Sequence, residues 1–139
     1  MYDLPRPKKP QQLPTVFSIE EVLSIINATE NLKHKTILCL SYAGGLRISE
    51  IVNLKIKDID SKRMVINIRQ AKGKKDRIVM LSEKLLVIMR EYFKKYKPKV
   101  WMFEGSAGEE YSIRSISKMF QDCKRKAKVY KKGGIHIMR

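Results

Sequence analysis

The sequence predicts a mainly helical α+β domain with one small antiparallel β-sheet. Three observations carry that expectation. In the longest segments apolar residues recur three and four apart, the spacing of an amphipathic helix. Between residues 63 and 80 two short runs alternate instead, which is strand spacing, and a glycine-bearing segment joins them. The chain has 139 residues, of which 43% are hydrophobic, enough for one real core and too few for two.

The elements follow in order. Four of the five prolines fall at Pro5, Pro7, Pro10 and Pro14, so residues 1–15 read as an extended arm or interdomain linker. Ser18 with Glu21 three residues later is a capping box that opens a first helix. A second helix is predicted from Leu32 to Ala43. Its second half is apolar on nearly every side and is stopped by Gly44-Gly45. A short helix follows around Ile48 to Leu54.

In Arg63 to Arg69, Met64, Ile66 and Ile68 face one way and Val65 and Asn67 the other. Arg77 to Met80 is the second strand, and Gln70 to Asp76, with Gly73, is the hairpin tip between them. Ser82 caps a helix that runs to Tyr96 and is closed by Lys97-Pro98. Trp101 to Phe103 is a short apolar segment and Gly105 to Gly108 a loop. The last helix starts near Ser112, with Ile113, Ile116, Phe120, Cys123 and Ala127 as its apolar stripe. Arg114, Lys118, Lys124, Arg125 and Lys128 populate its other faces, and Gly133-Gly134 ends it.

Charge narrows the function. Lys and Arg number 30 against 14 Asp and Glu, a formal charge of +16. Residues 1–68 hold 10 basic and 7 acidic side chains, whereas residues 69–139 hold 20 and 7. A net +13 in the second half repels itself and calls for a polyanionic partner, DNA, RNA or an anionic surface. No apolar run approaches the ~20 residues of a membrane span, and no helix sets a broad aromatic face beside its lysines. The N-terminus lacks the apolar stretch of a secretory signal. Cys39 and Cys123 make neither a disulfide framework nor a zinc site and read as small buried hydrophobes of a reducing cytosol.

Three features could carry chemistry. Arg47 follows Gly44-Gly45-Leu46 and precedes Glu50 by three residues. That spacing by itself favours a surface ion pair, and it also admits an arginine fork held by a carboxylate for a phosphate. Lys72 beside Gly73 could place an ammonium at a leaving oxygen, or it could share phosphate anchoring with Lys74, Lys75 and Arg77. His136 and Arg139, three apart, could hold a phosphoryl group, or be surface residues near a chain end. His34 lies in a polar helix start and reads as surface.

Order and context sharpen these signals. Gly45-Leu-Arg-Ile-Ser-Glu-Ile-Val-Asn-Leu54, then Ala71-Lys-Gly-Lys-Lys-Asp-Arg77, then His136-Ile-Met-Arg139 resembles the catalytic domain of the tyrosine recombinases, the phage-type integrases and Xer-type resolvases. The Gly-Leu-Arg-Ile-Ser-Glu wording resembles these more than the type IB topoisomerases, which share the chemistry. The resemblance implies a catalytic-domain-like fold over residues 16–139. It implies that Arg47 and Arg139 bind the scissile phosphate and that Lys72 protonates the leaving 5′-oxygen. His136 completes the H-x-x-R element, Glu50 supports the site from behind, and Lys74, Lys75 and Arg77 contact DNA.

The implied reaction is site-specific recombination of double-stranded DNA through a 3′-phosphotyrosine link, without metal, ATP or other cofactor. It is carried out by a tetramer on two DNA sites in the cytoplasm, at the nucleoid. In the family the nucleophilic tyrosine follows the H-x-x-R element, and all six tyrosines here precede His136. The family's N-terminal DNA-clamping domain also has no counterpart here. The expectation is therefore an incomplete catalytic domain that binds DNA without cleaving it and is either marginally stable or self-associates through bared apolar surface. The alternative is a non-catalytic basic module that binds nucleic acid by charge.

Overall fold

A computed structural model describes residues 17–69, 76–105 and 108–135. The proline arm, the hairpin tip at 70–75 and residues 106–107 of the predicted loop lie outside them.

Helix α1 spans Ile19–Ala28 and starts on the expected capping box. The Glu21 amide donates to Ser18 Oγ at 3.1 Å, and Ser18 N–H donates to Glu21 Oε1 at 2.8 Å. Val22, Ile25 and Ile26 point inward, and burial of each contributes roughly 1.5–3 kcal/mol. Helix α2 spans Leu32–Gly44, capped by Asn31, whose side chain accepts the His34 amide. Ile37, Leu38 and Leu40 are fully buried, while Cys39 is half-buried and Tyr42 exposed, so α2 keeps one wetted side. Gly44 stays inside the helix, and Gly45, at φ 69°, makes the left-handed stop.

Helix α3, Ile48–Val52, is shorter than the sequence suggests. A single turn of 3₁₀ helix, η1 (Ile56–Asp58), follows it. The sheet has three strands in the order β1 (Ile59–Asp60), β2 (Val65–Ile68), β3 (Arg77–Met80), all antiparallel. Ile66 lies opposite Ile59 and Val79, and Ile68 opposite Arg77. Ile66 and Ile68 are buried and Asn67 exposed, as the alternation requires. Met64 is not in the strand. At φ 56° it closes the turn into β2, and its carbonyl accepts the Leu81 amide at 2.9 Å. The two-residue β1 is too short to leave a period in the sequence.

Helix α4, Glu83–Tyr96, is capped by Ser82 and closed by Lys97 in a left-handed conformation. It packs on α2 and buries Leu85, Leu86, Met89 and Tyr92. The apolar segment around Trp101 docks beside residues 54–56, with Met102 N–H on Leu54 O at 2.8 Å. Tyr92 Oη donates to Met102 O at 2.8 Å, and its ring lies 5.1 Å from that of Phe103.

Helix α5, Ile113–Lys126, is capped by Ser112 and packs on α1, with Phe120 6.0 Å from Phe17. It ends well before Gly133-Gly134, because Lys128 at φ 60° already breaks it. Two of its expected faces change sides: Ile113 is exposed and Lys124 is buried. His34 is half-buried rather than on the surface.

Candidate active site

The site grows from the end of α2. Leu40 O accepts the Leu46 amide at 3.3 Å, folding the chain back so that Leu46 enters the core. Arg47 therefore falls at the N-cap of α3, where the orphan amides of a helix start need acceptors. Glu50, one turn on, supplies one: Oε1 accepts the Arg47 amide at 2.8 Å. The carboxylate of Glu50 is only 6% exposed, so it must be paired.

One partner comes from the sheet. Arg77, first residue of β3, donates Nη2 to Glu50 Oε1 at 2.7 Å and Nε to Oε2 at 3.3 Å, a two-pronged fork. The guanidinium of Arg47, by contrast, reaches Glu50 only at 4.0 Å, Nη1 to Oε2, and its side chain is 57% exposed. One buried carboxylate thus fixes the backbone of one arginine and the head group of another. The head group of Arg47 stays turned outward, with its charge available to an anion.

The same device recurs a few residues later. Asp58, 7% exposed, caps η1 by accepting the Lys55 amide at 2.9 Å. It also accepts Arg69 Nε at 3.2 and 3.1 Å and pairs with Arg69 Nη2 at 3.0 Å. Arg69 and Arg77 flank residues 70–75 on either side, so two buried carboxylates tie both ends of the hairpin to the α3–η1 segment. Sequence reasoning missed Asp58 and Arg69. The one available signal was the repeated spacing, Lys55 to Asp58 like Arg47 to Glu50.

A second set of anchors leads along the chain after α5. Lys124, 6% exposed, donates Nζ to the carbonyls of Lys131 at 2.7 Å and Gly133 at 2.9 Å. Gln121 also donates to Gly133 O, at 3.2 Å, and Lys131 pairs with Glu21 of α1 at 2.9 Å. Ile135 is buried. Burial holds the Lys124 ammonium below the usual lysine range.

Of the residues singled out in the sequence, the structure brings Arg47, Glu50 and Arg77 together. Lys72, Lys74, Lys75, His136 and Arg139 lie outside the described residues. Among the described residues no cluster of His, Cys, Asp and Glu could hold a metal ion. The described arrangement can bind and neutralise an oxyanion at Arg47. Among the described residues, the Glu50 carboxylate stands between two guanidinium groups, those of Arg47 and Arg77.

Comparison with known proteins agrees over most of the chain. The profile described as "Phage integrase family" matches residues 15–139. An integrase/recombinase of Sinorhizobium fredii is 55% identical over 102 residues, covering 73% of this chain and 33% of that protein. The crystal structure of XerA recombinase superposes with a TM-score of 0.82 at 30% identity, over 95% of this chain and 49% of the other. XerH site-specific recombinase bound to difH substrate superposes with a TM-score of 0.78 at 21% identity, over 94% of this chain and 42% of its own. The chain thus spans a third to a half of the length of each of these three relatives.

Proposed function

Because the chain belongs to the phage integrase family, the tyrosine recombinases, we propose that it is the phosphate-activating part of a site-specific DNA recombinase. Residues 16–139 then make up most of a catalytic domain, and residues 1–15 lead into it. The observation that carries this reading is the Glu50 arrangement, which builds Arg47 into the fold yet leaves its guanidinium facing solvent.

The chemistry follows from the charges. Attack on a phosphodiester builds negative charge on a five-coordinate phosphorus. Arg47 neutralises it from the α3 side, and Arg139 is assigned the second guanidinium. A tyrosine oxygen forms the bond to phosphorus while the bond to the 5′-oxygen breaks. Lys72 delivers the proton that lets this oxygen leave as a hydroxyl, and His136 orients and shuttles protons beside it. The 5′-hydroxyl of another strand reverses the step, so no external energy source is consumed. Lys74 and Lys75 hold the DNA backbone, and the whole enzyme works as a tetramer on two duplexes. That the lambda integrase is seen bound to DNA supports DNA as the partner.

All six tyrosines precede His136. The 139 residues are therefore expected to form no covalent adduct with a nicked suicide duplex carrying a site selected from random sequence. Hydrogen peroxide, as an external nucleophile, should cleave that duplex in their presence. Arg47→Ala should abolish this scission but weaken duplex binding only on the order of tenfold, so the loss of scission far exceeds the loss of affinity. If peroxide has no effect, the chain is a binding module and the phosphate-activating role fails. A covalent adduct through one of the six tyrosines would instead overturn the assignment of the nucleophile.

A further inference from the structure

Arg77 reads in the sequence as one more DNA contact, but its geometry gives it a different task. We propose that Arg77 is a positioning residue that occupies Glu50 and so prevents this carboxylate from capturing the guanidinium of Arg47. The proposal rests on the reading of Arg47 as a phosphate receptor.

The argument is one of competition for a buried charge. Glu50 is nearly sealed from water, and a buried carboxylate that loses a forked guanidinium pulls harder on any cation within reach. Arg77 meets it with a fork, Nη2 at 2.7 Å and Nε at 3.3 Å, on both oxygens. Arg47 Nη1 waits at 4.0 Å from Oε2. Closing to an ordinary charge-assisted bond takes a movement of about 1 Å, within reach of a rotamer change on a half-exposed side chain. While Arg77 is in place the electrostatic reason for that movement is largely removed. Without it, Glu50 draws Arg47 in and the affinity of Arg47 for an external phosphate falls.

The neighbouring pair shows what a purely structural fork looks like. Arg69 holds Asp58 in the same manner, but the cap residue there is Lys55, whose ammonium lies 5.0 Å over the Trp101 ring. Loss of Arg69 loosens the hairpin without freeing a carboxylate beside Arg47.

The test is a mutant cycle on the 139-residue chain, read as affinity for a fluorescein-labelled duplex of arbitrary sequence at fixed salt. Arg47→Ala and Arg77→Gln should each weaken binding on the order of tenfold. The double variant should be no weaker than Arg47→Ala. Glu50→Gln combined with Arg77→Gln should recover the loss, since no carboxylate remains to draw Arg47 in. Arg69→Gln should lower the melting temperature, yet Arg47→Ala should cost the same factor in affinity with or without it.

If Arg77 touches DNA directly, the two losses multiply and Glu50→Gln rescues nothing, which overturns the proposal. It is equally overturned if Arg69→Gln also erases the contribution of Arg47, because general loosening then suffices. An Arg47→Ala change that leaves affinity intact refutes the phosphate-receptor reading instead. Should Arg77→Gln not fold, Arg77→Lys enters the same cycle: a single ammonium cannot fork across both oxygens, so a partial, Glu50-dependent loss is expected.

Discussion

At the scale of single residues, the informative side chains are those whose charge the fold has displaced from water. Glu50 is read in the sequence as a carboxylate one turn past Arg47, whereas Asp58 went unread although it stands at the same spacing from Lys55, the spacing of a helix-opening acceptor. Their arginine partners cannot be read this way, since Arg77 is 27 positions from Glu50 and Arg69 is 11 from Asp58. His34 carries a prediction at this scale. Burial, then the charges of Lys33 and Lys126, hold its imidazole below the ordinary histidine range, against a smaller opposing pull from Asp122. The folded protein therefore binds this proton less tightly than the unfolded chain. Stability should rise as pH increases through the folded pKa toward the ordinary value near 6.5, and level off above it. Melting temperatures measured between about pH 5 and 7 should show this rise, and His34→Gln should flatten it. An unchanged slope in the variant would place the titration elsewhere.

At the scale of elements, caps were the most readable feature. Ser18, Ser82 and Ser112 each open the helix that the sequence assigned to them. A serine oxygen satisfies a local amide, so the signal needs no tertiary information. Helix ends were less readable. Gly133-Gly134 suggested the stop of α5, yet Lys128 adopts the left-handed conformation and stops it earlier. The cause is the packing of residues 129–135: Val129 and Ile135 turn into the core, and Lys124 is drawn under the segment to hold its carbonyls. Lys124→Met should keep the aliphatic packing and remove those two charge-assisted bonds, destabilising the protein by about 2 kcal/mol. Hydrogen exchange should quicken selectively at residues 129–135. A uniform rise across all helices would show that the lysine supports the core as a whole and not this connection.

At the scale of the whole molecule, charge and topology divide the explanation. A formal +16 on 139 residues works against the compact state. The melting temperature of the protein without DNA should therefore rise with added sodium chloride, and duplex affinity should fall steeply over the same range. A melting temperature that is flat in salt would mean that ion pairs such as Lys131–Glu21 already offset the repulsion. No helix among the described residues is long and apolar enough to cross a membrane.

The helix starts, two of the three strands, the basic second half and the three ordered motifs that resemble the family can be read from the amino acids alone. Each of these is a matter of local spacing or of composition. It takes the folded chain to show that Glu50 belongs to Arg77 as much as to Arg47, that Asp58 repeats the device with Arg69, and that Lys124 lies inside. Those pairings depend on which distant segments the core brings together, and a buried charge takes whichever partner the packing delivers.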